Sequence, residues 1–375
     1  MGPVISPLRT GFPPQADVLA VDGEVVSYTD LTAVAMLAEE WEPFLRRARR
    51  GGYLATCREI DQGALRQAAQ RFRRERALVA ADDLKEWLVT RSLTRSDWEA
   101  ALARSLLLAG DEGGDENGKG GGDGPGHDED AAGHGEDAPS AELLWADTFC
   151  SGLWARSAQL AVDWLAARLM GDRLMGDRTV AARPMAGPLM APGLEPPKFP
   201  LPPGAEAGSA FFVDAGRVIA IAGWRAAYGD VRSRLVTDAA VAQVVRQREL
   251  EWTSFDIQEL VLGTETAARE ALLCSREEGM EAEEILRRAG GRLEARRARA
   301  SSLPPTMVAD LLAAPVGDGV AGPFRHTDGW SVIWLRQRRR PEVTDDDVRA
   351  EAAEDLVREA LDRELVGHLR WLGPT

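Results

Sequence analysis

Side chains able to do covalent or metal chemistry are few in this 375-residue chain, and they are scattered. Cys57, Cys150 and Cys274 lie far apart and are odd in number, which argues against a disulfide framework and against paired zinc-ligand spacing. Buried free thiols are the simpler reading. Asp115, Asn117 and Lys119-Gly120 begin a calcium-loop pattern, but Gly126 stands where a bidentate glutamate is needed. His127 and His134 lie in the same stretch and read as solvated loop histidines. The glycines crowd into this stretch and do not follow a strand, as a phosphate-binding turn would require. No metal, nucleotide or flavin cofactor is therefore expected.

The most densely patterned stretch runs from Leu303 to Pro341. It reads as a short amphipathic helix, a Gly-rich corner, a strand through Gly322-Pro323-Phe324, and a hairpin turn at Thr327-Asp328-Gly329. The next strand puts Trp330, Val332 and Trp334 on one face and Ser331, Ile333 and Leu335 on the other. These elements would close a small sheet.

Around it the chain divides as follows. Residues 1–17 read as a tail, and Val18 to Tyr28 as a strand, an Asp22-Gly23 turn and a second strand, capped by Ser27 or Thr29 into a helix from Asp30 to about Arg50 that stops at Gly51-Gly52. Further helices are expected from Asp61 to Arg76, Asp82 to Val89 and Thr94 to Leu108, completing a helical domain over 18–110. Residues 111–140 hold ten acidic residues and one lysine among many glycines and read as a disordered insertion. A helix over 141–170 rejoins the helical domain, and 171–209 is a Pro/Gly-rich connector. Residues 210–250 read as a strand pair around Asp214-Ala215-Gly216 plus a helix, and 251–341 as a second domain. Residues 342–375 form one long helix, needing another surface for Val348, Ala352, Leu356, Leu361, Leu365 and Leu369 and expected to find it on the helical domain.

Composition narrows the classes. The formal net charge is −15, but most of it sits in the acidic insertion and the remainder is close to neutral. Arg46, Arg47, Arg49 and Arg50, and Arg336 with Arg338 to Arg340, form short basic clusters without interleaved aromatics, so a nucleic-acid partner is not expected. No apolar run reaches membrane-spanning length, no membrane partner is expected, and the N-terminus lacks a secretory pattern, so the cytoplasm is the expected location. The eleven tryptophans supply core area, and some could line an apolar groove between the N-terminal helices and the helix from Ala141.

The order strand, two helices, short helix and two strands across Trp252 to Arg340 resembles the parvulin-type (rotamase) domain of peptidyl-prolyl isomerases. Gln258 to Ala268 (QELVLGTETAA) is similar to its opening strand and helix, Leu303 to Gly317 to its central helix, and Val320 to Leu335 to its closing strands. Val18 to Leu31 (VLAVDGEVVSYTDL) resembles the entry of the SurA and PrsA chaperones, and Phe72 to Leu102 the parvulin-related peptide maturation proteins. The resemblance implies an α+β, mostly α, fold: a SurA/PrsA-like helical domain plus a degenerate parvulin-like domain.

It also implies a site. The family's two facing histidines fall at Glu259 and Ser331, its apolar grip on proline falls at Leu303 and Met307, and Leu312 and Phe324 complete the peptide-binding set. Its Cys or Asp position has no counterpart in GRLEARRARASS, residues 291–302. Prolyl isomerisation needs only a shaped, desolvated pocket that lowers an amide barrier of roughly 18–20 kcal/mol. With both histidines replaced, the expected function is binding: a chaperone for a precursor peptide or unfolded polypeptide. The alternatives are an active isomerase, or a scaffold recruiting a peptide-modifying enzyme. Exchange of the C-terminal helix between copies would give a homodimer.

Overall fold

The computed structural model describes residues 16–112, 141–176, 213–326 and 328–374. The expected tail, acidic insertion and most of the connector lie outside them, as does Thr327 of the expected hairpin turn. The fold is α+β and mostly helical, in two compact units: residues up to Val231 with Leu361–Thr375, and Arg232–Ala360. No described helix is long and apolar enough to cross a membrane.

In the first unit β1 (Asp17–Val21) and β2 (Glu24–Ser27) form the expected hairpin, with Asp22 (φ 49°) and Gly23 (φ 84°) in its turn. Ser27 caps α1 (Tyr28–Leu37), its hydroxyl accepting from the Asp30 amide while Asp30 accepts from the Ser27 amide at 2.8 Å. The expected single helix is broken here: Glu39 is left-handed (φ 62°), and α2 (Trp41–Cys57) starts afresh and runs through Gly51-Gly52. Of the two glycines, Gly51 serves packing. A Cβ on Gly51 would stand 3.1 Å from Arg104 Cβ, so only glycine lets α2 approach this closely without a shift. Next come α3 (Gln62–Glu75), α4 (Ala81–Thr90) and α5 (Arg95–Glu112).

The helix expected from Ala141 is also two, α6 (Ala141–Cys150) and α7 (Leu153–Gly176), divided at Gly152 (φ 75°). Of the strand pair expected around Asp214-Ala215-Gly216, residues 210–212 lie outside the described residues, and no strand forms among the described ones. Residues there form α8 (Ala215–Leu235), because Asp214 caps a helix: its carboxylate accepts from the Arg217 amide at 3.2 Å. Ile221, Trp224 and Val231 then share a buried face at helical spacing.

Trp41, Trp98, Trp145, Trp154 and Trp164 are all buried: Trp145 and Trp154 pack on Tyr28, Trp41 on Trp154 and Trp98 on Phe72. They therefore cannot line an open groove: large aromatic faces are used up against one another, with Tyr28 edge-on to Trp145 at 4.9 Å. Burial pushes the Tyr28 hydroxyl up to about 12.

The second unit takes in α9 (Asp238–Gln247) and a single turn, α10 (Glu249–Trp252), then β3 (Ser254–Leu262), α11 (Glu265–Glu278), α12 (Ala282–Ala289) and β4 (Arg292–Arg299). After a 3-10 turn (Ala300–Ser302) follow α13 (Pro305–Ala313), β5 (Gly319–His326), β6 (Gly329–Arg339) and α14 (Asp346–Leu365). β4 is the strand missed in the residues 291–302. The expected long terminal helix ends at Leu365 instead of running on, and β7 (Leu369–Trp371) adds to the first unit's sheet in the order β2-β1-β7. Along α14, Val348 and Ala352 are buried in the second unit with Val241, Val245 and Trp252, whereas Leu361 and Leu365, also buried, belong to the first unit.

Arg217 clamps α8 to the hairpin, donating to Asp30 Oδ1 at 2.7 Å, Glu24 Oε1 at 2.6 Å and the Val25 carbonyl at 2.7 Å. Asp30 is only 6% exposed, so removing its cation strands a buried carboxylate. Arg217→Met is expected to cost about 2–4 kcal/mol, read as a lower urea midpoint at unchanged slope.

Candidate functional site

The site is built on the antiparallel four-stranded sheet of the second unit, in the order β4-β3-β6-β5. Alternation along β3 puts Phe255, Ile257 and Glu259 on one face and Leu260 and Leu262 on the other. β6 pairs with it so that Ser331, Ile333 and Leu335 join the first face, and Val332 and Trp334 the second. The second face is filled by α11 and α12, and the Trp334 indole donates to Ser275 Oγ at 2.9 Å.

The first face is covered by α13. Leu303, Met307 and Leu311 descend onto Phe255, Ile257, Ala321, Ile333 and Leu335, with Leu312 and Phe324 half-buried beside them. Arg338 fixes the end of that helix by donating to the carbonyls of Leu311, Leu312 and Ala314 at 2.8, 2.8 and 2.9 Å. A bulge places Phe324: the register moves from Ala321↔Ile333 to Phe324↔Ser331, three residues against two. Without the extra residue Phe324 would lie on the opposite face. The bulge needs Gly322 (φ 123°), where a Cβ would meet the Ser331 carbonyl oxygen at 2.9 Å.

The structure thus brings Leu303, Met307, Leu312, Phe324, Glu259 and Ser331 onto one face. Leu303 and Met307 are core residues there, 9% and 6% exposed, so Leu312 and Phe324 carry more of the accessible apolar surface. Glu259 is opposite Ile333 and Ser331 opposite Val261, which makes Glu259 and Ser331 diagonal neighbours, on the order of 7 Å apart in such a ladder.

Neither does acid–base chemistry in the way paired imidazoles could. Glu259 is buried and its Oε2 accepts from Arg296 Nε at 3.1 Å and Nη2 at 2.9 Å. Ser331 is 1% exposed, and its hydroxyl has no hydrogen-bond partner. A buried unsatisfied hydroxyl costs roughly 1–3 kcal/mol. Among the described residues no three acidic, histidine or cysteine side chains form a metal cluster.

Arg296 is the site residue that sequence reasoning missed. Its strand is a sheet edge with mostly exposed side chains, so it lacks the apolar alternation that marks a strand. The only usable signal was Ala298 at the right parity to back Phe255. Asp256, on the other face, is held well below the usual carboxylate range by bonds from Arg297 at 2.7 Å and Arg339 at 3.1 Å.

No family model and no curated protein matches the chain. Among solved structures it is similar to PrsA from Bacillus subtilis, at 16% identity and a TM-score of 0.19, over 39% of this chain and 62% of that one. The chain therefore spans less than two thirds of PrsA's own length. It is also similar to a structure reported for PEB4 and Cj1289, two SurA-like chaperones of Campylobacter jejuni, at 9% identity and a TM-score of 0.17, over 95% of this chain and 99% of that one.

Two outcomes are expected of the charges. Arg296→Met leaves Glu259 buried without its cation and should cost about 2–3 kcal/mol, whereas Glu259→Leu with Arg296→Met should recover most of that; urea melts of the three proteins decide. Asp256, with its carboxyl lowered on folding, contributes stability above its unfolded value of 3.8 that is lost as pH falls through the lower folded value. Asp256→Asn should therefore lie at most about 1 kcal/mol below wild type at neutral pH, the usual size for a partly exposed pair, and the gap should close in melts taken progressively below pH 3.8.

Proposed function

We propose that the second unit is a parvulin-like peptide-binding domain without isomerase activity, in a chaperone that holds an extended segment of a precursor or unfolded polypeptide. The observation that carries this reading is the half-buried apolar pair Leu312 and Phe324 at the margin of one sheet face. Apolar surface of this kind, half-exposed beside a packed core, is what supplies affinity in a binding site. The Glu259–Arg296 pair argues against catalysis, because a carboxylate that accepts from a guanidinium has no hydrogen to donate to the nitrogen of a twisting amide.

The client we favour is a ribosomally made peptide during its maturation in the cytoplasm. This finer reading rests on the similarity of Phe72 to Leu102 to peptide maturation proteins. A scaffold that brings such a peptide to a modifying enzyme would use the same face.

The test is fluorescence anisotropy with labelled, proline-containing extended peptides. Phe324→Ala and Leu312→Glu should each weaken binding about tenfold, equivalent to ~1.4 kcal/mol. A protease-coupled assay on the same peptides should give no turnover above background. Turnover abolished by both Glu259→Ala and Ser331→Ala would instead make the protein an isomerase, and unaltered affinity in the Phe324 and Leu312 variants would remove the site from this face.

A further inference from the structure

The four-stranded sheet of the second unit has two edges, and they are built differently. The β5 edge is blunted: it carries the bulge and Pro323, which has no amide hydrogen, and Arg276 Nη2 donates to its Val320 carbonyl at 3.1 Å. β4 has none of these devices. It runs from Arg292 to Arg299 against β3 in unbroken register and contains no proline.

The direction of its peptide groups follows from one bond. Thr253 stands opposite Ala300 in the continuation of that register, and the Ala300 amide donates to the Thr253 carbonyl at 2.8 Å. Even-numbered residues of β4 therefore turn their peptide groups toward β3, and odd-numbered ones turn theirs outward. Among the described residues nothing bonds the outward amides and carbonyls of Leu293, Ala295 and Arg297. Glu294, Ala295, Arg296 and Arg297 are exposed, so an incoming strand can reach this row.

The side chains say which strand that is. Antiparallel pairing of β4 with its own copy about a two-fold axis sets outward residues opposite outward residues, and each register is named by the residue at its centre. Centred on Arg296, it opposes arginine to arginine. Centred on Glu294, it opposes glutamate to glutamate and sets Arg292 against Arg296 of the second copy. Centred on Ala295, it sets Glu294 against Arg296 and Arg296 against Glu294, with alanine facing alanine on the axis. Of the three, only this register pairs unlike charges on both sides of the axis. It also relieves a conflict inside one copy, where Glu294 lies directly opposite Glu259. Arg296 keeps its bonds to Glu259, so the pairing places one guanidinium between two carboxylates.

We infer that β4 is a self-pairing edge: two copies of the chain dimerise through it in the register centred on Ala295 and join their sheets into one. The blunted β5 edges stop the growth there. The contact is short, so the dimer is a weak one, with a Kd of about 10–100 µM. This goes beyond the peptide-binding reading and does not depend on it.

The test is sedimentation equilibrium of the full chain from about 1 to 300 µM, in which reversible dimerisation is expected. Ala295→Pro removes an outward amide without touching the β3 ladder, and Glu294→Arg opposes arginine to arginine; each should weaken dimerisation about tenfold or more. Urea midpoints close to wild type will separate lost pairing from lost folding. The register is read by disulfide formation in a Cys57→Ser background, since Cys57 is exposed. Ala295→Cys should give a covalent dimer under mild oxidation, because facing residues stand about 5.5 Å apart at Cα. Arg297→Cys should not, because its counterpart lies four residues, about 13 Å, along the strand. A monomer throughout the range, dimerisation untouched by both Ala295→Pro and Glu294→Arg, or a covalent dimer from Arg297→Cys and not from Ala295→Cys would each overturn the inference. Phe324→Ala should leave the dimer intact, so this inference and the peptide-binding reading fail separately.

Discussion

A period of two along β3 governs the second unit. Because Phe255, Ile257 and Glu259 face one way and Leu260 and Leu262 the other, one strand serves two cores at once. One core is closed by α11 and α12 and is purely a packing interior. The other is covered only by α13, so apolar side chains at its margin stay half-exposed. The site residues carried by the strands are there by parity: Ser331 through its pairing opposite Val261, Arg296 opposite Ile257, and Phe324 through a bulge that restores its parity. A slip of one residue would exchange the two faces and abolish the site.

The charges on that face are arranged to be quiet. Glu259 is buried but held by two bonds from Arg296, and Ser331 sits beneath with a hydroxyl that has nothing to bond. Both polar groups are buried, one paired with a cation and one unsatisfied, so the accessible part of this face is apolar.

The first unit solves a different problem, that of burying many large rings. Tyr28, Trp41, Trp145, Phe149 and Trp154 lock together edge to face and face to face, and the helices carrying them break at Glu39 and Gly152 so that each ring can reach the cluster. Those same two breaks border a cleft beside Arg104. Close packing of α2 on α5 through Gly51 buries Arg104 beside Asp147.

Local chemistry alone determined a good deal. The Asp22-Gly23 hairpin, the Ser27 and Thr94 caps, and the alternation of Trp330 to Leu335 were legible because turn geometry, capping and strand period depend on neighbours in the chain. The four apolar site residues were legible through their resemblance to a known pattern, and the fold class through element order. Tertiary structure decided what depends on partners far along the chain. Gly51-Gly52 looks like a stop until Arg104 is seen against it; Asp214-Ala215-Gly216 looks like a turn until a helix face at Ile221 and Trp224 finds a core; and Arg292 to Arg299 carries too few apolar residues to look like a strand until β3 offers it a free edge. β7 is the clearest case, a three-residue strand at the end of the chain that exists only because β1, some 350 residues earlier, has backbone groups left to pair.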